Sequence, residues 1–165
     1  MDFKNFYEGE ERRKTGVYVS VKFDESSNRS LKAWTDKQNF GDNVELVKPD
    51  EYHCTIVYSR TEIPEDQKIN DKLEQPVDPL KLEVFPYDES SFCVVLLLKS
   101  AYLDFIHKKI VNAGAIHDYP NFKPHITIAT HVSKDFKVDE IQLPQFQLWT
   151  SEIKSEPLDL NWDKN

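Results

Sequence analysis

The chain has 165 residues and a net charge of −8, with 39% hydrophobic and 12% aromatic residues. That is enough apolar surface for one core and too little length for two well-filled ones, so a single domain over 1–165 is expected. The acidic balance argues against a protein that tracks long nucleic acid, which needs many Lys and Arg contacts to successive phosphates, but leaves room for a small anion in a local pocket.

The charged stretch 1–14 lacks the apolar core of a secretion signal and is expected to be loose. Gly16-Val17-Tyr18-Val19-Ser20-Val21-Lys22-Phe23 alternates with period two and predicts a strand. Asp24 to Asn28 supplies helix-start residues, and Leu31, Trp34 and Gln38 follow at near-helical spacing before Gly41 ends the segment. Glu51 to Ser59 is the next strand. Glu62 to Pro79, rich in charge and proline and without a period, is expected to be a long connection, a lid or an insertion. Leu80–Tyr87 and Phe92–Leu98 flank Asp88-Glu89-Ser90-Ser91 as a hairpin, and Tyr102, Phe105, Ile106, Ile110 and Val111 form a helical stripe ended by Gly114. After the loop Asp118–Pro124 comes another strand, and Phe146–Ile153 and Leu158–Trp162 close the chain as two more. The order is strand, helix, strand, twice over, which predicts an α+β fold of two comparable halves facing across a cleft.

Two of these strands carry the same phrase, His53-Cys54-Thr55-Ile56 and His125-Ile126-Thr127-Ile128. Side chains alternate faces along a strand, so each phrase presents an imidazole and a hydroxyl together and buries its apolar pair behind. With five histidines and seven threonines, random placement would produce about 0.2 such His-x-Thr triplets, so chance is a poor account of two. A histidine titrating near neutrality serves as base or acid, and a pair can hold one neutral and one charged member. Phosphodiester cleavage uses that combination: the base deprotonates the attacking hydroxyl, the acid protonates the departing oxygen, and hydroxyl donors steady the phosphoryl oxygens. His53 and His125 are the candidate proton carriers, Thr55 and Thr127 the candidate donors. The sequence does not rank the histidines as acid and base, nor decide between a substrate 2′-hydroxyl and water as nucleophile.

These paired motifs resemble the two-histidine (2H) phosphoesterase superfamily, which implies a two-lobed fold and cofactor-free, metal-independent chemistry on phosphodiesters of nucleotides or RNA ends. The acidic chain, the opening Gly-Val-Tyr-Val-Ser-Val-Lys-Phe strand and the Pro-His-Ile-Thr-Ile-Ala second motif are similar to the phage anti-CBASS protein 1 family. That resemblance implies cleavage of 3′,5′ bonds in cyclic di- and trinucleotide messengers such as cyclic GMP-AMP, removing the signal for a bacterial host's antiphage effectors. It also implies that Tyr18 and Glu152 line the pocket and that Trp149 stacks on a base. The alternatives are a 2′,3′-cyclic phosphodiesterase or ligase acting on RNA termini, which the motifs alone equally fit, and a sponge that binds the messenger without cutting it.

Other residues have plainer readings. A lone strand histidine is ordinarily satisfied by backbone, and only the duplication lifts His53 and His125 out of that class. Cys54 faces away from His53, so the two are not placed to share a metal. His107, between Ile106 and Lys108, is expected on the solvated face of its helix, and His117 and His131 on loops or strand ends. Tyr18 and Trp149 are more ordinarily packing residues, and Lys123 a loop charge. Cys54 and Cys93 fit no disulfide or metal spacing, and no apolar run approaches the roughly 20 residues of a membrane helix, so a cytosolic protein with no membrane contact or obligate protein partner is expected.

Overall fold

A computed structural model describes residues 15–117 and 121–159. Its strands are β1 (Thr15–Phe23), β2 (Glu45–Leu46), β3 (His53–Ser59), β4 (Asp71–Lys72), β5 (Pro76–Pro86), β6 (Phe92–Lys99), β7 (His125–Val132) and β8 (Leu148–Asp159). Two helices, α1 (Glu25–Asp36) and α2 (Ala101–Asn112), follow β1 and β6. The sheet runs β2-β7-β6-β5-β8-β1-β3 with β4 added to β8, every pairing antiparallel. Only two rungs, Pro76 with Trp149 and Val77 with Leu148, join β5 to β8. The sheet therefore divides into two halves, one ending in β3 and the other containing β7, and those two strands meet.

The halves repeat in detail. Lys22 pairs with His53 and Ser20 with Thr55, after which the register slips so that Val19 meets Val57. Leu97 pairs with His125 and Val95 with Thr127, after which Val94 meets Ala129. Each histidine strand thus carries a bulge at the same place in its motif, with Ile56 and Ile128 as the extra residues. A bulge adds local twist and re-aims the side chains beside it. Cys54, Ile56, Ile126 and Ile128 are all fully buried, which fixes His53, Thr55, His125 and Thr127 on the opposite, cleft-facing side.

Each helix begins on a side-chain cap. Asp24 accepts the Ser27 amide at 2.7 Å and Ser100 accepts the Leu103 amide at 3.1 Å. α1 buries Ser27, Leu31 and Thr35 and stops at Asp36, short of Gln38, whose side-chain amide instead donates to the Trp34 carbonyl. α2 buries Leu103, Ile106 and Ile110, while Phe105 and Val111 of the expected stripe face solvent. Gly114, at φ +118°, turns the chain after α2.

Several expectations need correction. Glu62–Pro79 is neither structureless nor a lid: Ile63, Leu73 and Val77 are buried, and a 3-10 turn spans Glu65–Gln67. The Ile69 amide donates to Ser155 Oγ and the Gln75 amide to Thr150 Oγ1, which stitch this segment along β8. Aperiodic sequence hid it because two-residue strands carry no period. β5 begins at Pro76 and passes Pro79 by a register shift at Leu80. Phe146 precedes rather than begins the last strand, and the two expected closing strands are one, with Pro157 inside it opposite Val17. The first histidine strand starts at His53, Pro49–Glu51 forming a 3-10 turn before it. Segment 1–14, Asp118–Pro120 and Trp162 lie outside the described residues.

Candidate active site

The two imidazoles are held in the same way. His53 Nδ1 lies 2.8 Å from the Glu51 carbonyl and His125 Nδ1 2.8 Å from the Lys123 carbonyl, in each case two residues back. A carbonyl only accepts, so both rings carry a proton on Nδ1 and keep Nε2 for chemistry. This backbone tie sets ring orientation and tautomer in both halves.

Their surroundings differ. The rung beneath His53 presents Lys22, which pairs onward with Glu152, which pairs with Lys72, making a charged row across β3, β1, β8 and β4. The rung beneath His125 presents Leu97, and β6 adds Cys93 and Val95 on the same face, packed with Phe85. His53 is consequently exposed, whereas His125 is half-buried with the Phe85 ring edge-on at 5.2 Å. Burial lowers the pKa of His125 below its ordinary value; the Lys123 carbonyl opposes this and the nearby His53 adds to it. The His53 contribution also means that the two motifs, far apart in sequence, share one electrostatic environment.

Between the halves is a cavity of about 570 Å³, walled by Thr55, Thr127, His125 and Cys93, with Phe85, Tyr87, Tyr58 and Phe122 as aromatic walls. His117, Asn121 and Lys123 complete it. His53 stands at the exposed rim, two residues along the strand from Thr55. Thr55 Oγ1 is 3.0 Å from the Tyr18 hydroxyl, and Tyr18 sits edge-on to Tyr58 at 6.2 Å. Tyr18 therefore lies behind Thr55 and is not among the cavity's lining residues. Burial raises the pKa of the Tyr18 phenol, keeping it protonated and able to donate to Thr55. With the phenol as donor, the Thr55 hydroxyl proton is left available to an acceptor in the cavity.

Trp149 and Glu152 line a different hollow of about 560 Å³, with Asp24, Lys72, Glu74, Thr150 and Ser151. Glu152 shares the charged row that leads to His53, so this hollow adjoins the rim rather than the aromatic cavity. The Cys54 thiol is fully buried, interacts with the His125 backbone and has its pKa pushed up to about 12, which makes it inert at neutral pH. Among the described residues no three His, Cys, Asp or Glu side chains converge as a metal-binding group would.

The sequence reading missed Phe85, Tyr58, Tyr87, Asn121 and Phe122, and placed His107 wrongly; His117 lies on a loop as expected, but its part in the cavity was not foreseen. His107 is half-buried, its ring stacked on Phe122 at 4.1 Å and 2°, with Nδ1 2.8 Å from the Ile56 carbonyl. His117 is part of the cavity wall, its Nδ1 accepting the Tyr58 amide at 3.1 Å. Neither contact has a signal in local spacing. His131 is exposed near the end of β7 at φ +59°, 3.6 Å from Glu45, much as a strand-end residue should be.

A family model for "Anti-CBASS protein Acb1" matches residues 15–165. The chain belongs to the Acb1 family. Its relatives include the Acb1 protein of Enterobacteria phage T4, 32% identical over 162 residues that cover 98% of this chain and 96% of that one. The Acb1 protein of Acinetobacter phage Ac42 is 31% identical over 153 residues, covering 89% and 93%. Among solved structures, TT0787 of Thermus thermophilus superposes with a TM-score of 0.54 at 14% identity, over 86% of this chain and 83% of that one. Escherichia coli LigT complexed with 3′-AMP gives 0.50 at 14% identity, over 86% of each. This Acb1 family member thus has the expected 2H phosphoesterase fold, with both His-x-Thr strands in its central sheet.

Proposed function

We propose that this protein is a metal-independent phosphodiesterase that opens 3′,5′ bonds of cyclic di- and trinucleotides, with His125 as general base and His53 as general acid. The observation that carries the reading is the pair of Nδ1-anchored imidazoles whose strands flank one aromatic cavity with Thr55 and Thr127 in its wall. The family name of the relatives, anti-CBASS, supports a messenger of antiphage defence as the substrate class, and hence action inside an infected bacterial cell.

The assignment of roles follows from environment. A base must be neutral before it accepts a proton, and the apolar floor of Cys93, Val95 and Leu97 beside His125 favours its neutral form. His125 Nε2 takes the proton of the attacking oxygen. His53, exposed and re-protonated from solvent, donates from Nε2 to the departing 5′ oxygen, and the row of Lys22 beside it favours negative charge on the phosphoryl group. Thr55 and Thr127 donate to the non-bridging oxygens. Flat aromatic walls suit nucleobases, which stack on them for roughly 1–3 kcal/mol each. Of the remaining pocket residues, Trp149 and Glu152 would serve a part of the substrate that reaches over the rim.

The test is chromatography of the protein with 3′,3′-cyclic GMP-AMP in EDTA, beside a His53→Ala/His125→Ala double variant. Linear product from the wild type alone is the expected result. An intact cyclic dinucleotide alongside cleavage of an RNA 2′,3′-cyclic phosphate would move the activity to RNA ends. Intact messenger recovered from a heat-released complex would make the protein a sponge.

A further inference from the structure

β3 carries His53 and Thr55 yet is the terminal strand of its half, so among the described residues no strand pairs with its outer backbone edge. In the other half the corresponding edge of β7 is met by β2 and the residue after it: the Val47 amide donates to the carbonyl of the bulged Ile128 at 3.0 Å. The equivalent carbonyl in β3, that of the bulged Ile56, takes its hydrogen bond from His107 Nδ1 at 2.8 Å. Two residues on, the Tyr58 amide donates to His117 Nδ1 at 3.1 Å, and Ser59 and His117 form a single antiparallel bridge. The Ile116 amide adds a bond to Ser59 Oγ at 2.9 Å.

Side chains therefore do for β3 what a strand does for β7. Both imidazoles come from α2 and the segment after it, which lead directly into β7 and His125. The rings contact each other edge-on at 5.0 Å, and Phe122 stacks flat on His107 at 4.1 Å while also forming cavity wall. The two rings act in opposite senses: a carbonyl requires His107 Nδ1 to donate, and an amide requires His117 Nδ1 to accept. We propose that His107 and His117 are positioning residues, an imidazole clasp that fixes the strand of His53 and Thr55 against the half that holds His125. Its catalytic consequence rests on the phosphodiesterase reading above.

The clasp spans the one dimension the reaction cannot tolerate changing, the separation of the two motifs. Displacing a reacting group by about 1 Å can cost up to about 100-fold in rate. Both Nδ1 atoms are engaged by the backbone of β3, so neither exchanges a proton with substrate in this role; His107 lies outside the cavity lining, and its expected signature is a loss in kcat with little change in KM.

The experiment compares His107→Phe and His117→Leu, which remove the donor and the acceptor, with His107→Asn and His117→Asn, whose amides offer a donor and an acceptor near the Nδ1 position. Cleavage of cyclic dinucleotide and hydrogen exchange of the Tyr58 amide are measured on all four and on the wild type. Expected are kcat losses of about 10-fold or more in the Phe and Leu variants, with KM within about threefold in His107→Phe, and substantial recovery in the Asn variants. Exchange of the Tyr58 amide should quicken by about 10-fold or more in His117→Leu and not in His117→Asn. Unchanged exchange in His117→Leu would overturn the clasp, as would equal kcat losses in the Leu and Asn variants. If the wild type leaves cyclic dinucleotides intact, the functional reading falls, and the Tyr58 exchange rates alone decide the clasp.

Discussion

The 3.0 Å contact between the Tyr18 and Thr55 hydroxyls makes a prediction that separates direct from indirect catalytic effects. Tyr18 does not line the cavity, so whatever it contributes to rate passes through Thr55. Tyr18→Phe deletes one partly buried hydrogen bond and leaves the ring packed edge-on against Tyr58. A typical intramolecular hydrogen bond contributes about 0.5–1.5 kcal/mol, and if that contribution is spent in orienting the threonine, kcat/KM should fall about 2- to 12-fold. Thr55→Val removes the hydroxyl proposed above to donate to the phosphoryl oxygen, for which losses on the order of 100-fold are expected. In the double variant the phenol has nothing left to orient, so Tyr18→Phe should cost almost nothing in the Thr55→Val background. Single-turnover cleavage of cyclic GMP-AMP by the four proteins completes the cycle, with an expected coupling of about 0.5–1.5 kcal/mol. Additive losses, or a Tyr18→Phe effect that persists without the Thr55 hydroxyl, would refute the argument and make Tyr18 a direct substrate contact.

The acid limb of kcat/KM against pH should lie below 6.5, because burial lowers the pKa of His125 and a base is lost only when protonated; a limb above 6.5 would contradict the role assigned to it. The linked stability effect has a definite sign. The folded chain resists protonating His125 while the unfolded chain does not, so this contribution is present above the unfolded value of 6.5 and declines as pH falls through 6.5 toward the lower folded value, a trend that denaturant melts of wild type and His125→Ala would separate. His53→Ala and His125→Ala should each lower kcat by about 10²- to 10⁴-fold with far-ultraviolet circular dichroism unchanged, and the double variant should lose much less than the product of the two. Gly16→Ala should destabilise the fold by about 1–3 kcal/mol or more, since a Cβ there would overlap the Ser59 carbonyl and crowd the Arg60 backbone; a thermal midpoint equal to wild type would show that β1 and β3 can separate freely at that end.

Much of the site was legible in the sequence because its signal is local. In a strand, two residues fix which side chains share a face, so His-x-Thr-apolar specifies an imidazole and a hydroxyl on one side with buried residues behind, and the full burial of Cys54, Ile56, Ile126 and Ile128 matches that. The helix caps at Asp24 and Ser100, the Asp88–Ser91 turn and the glycine after α2 are likewise set by residues within four positions of one another. Trp149 and Glu152 were assigned by position in a family pattern alone, and the fold puts them in the neighbouring hollow.

The two motifs also sit in an arrangement no local rule could supply. Both phrases are nearly identical, yet Lys22 lies under one histidine while Leu97, with Cys93, Val95 and Phe85, surrounds the other, which separates an exposed imidazole from a half-buried one. The partner across a rung belongs to another strand, tens of residues away, and depends on a register that a single bulge can shift. For the same reason His107, beside two lysines, reads as a surface residue until its strand neighbour is known: its place is set by the Ile56 carbonyl on the outer edge of β3. The sequence by itself determined which chemical groups are present and which way each strand turns them, because side-chain alternation is a property of the chain. Only the tertiary structure decided what each group faces, because burial, and with it the proton affinity of His125, comes from residues that the chain brings together only on folding.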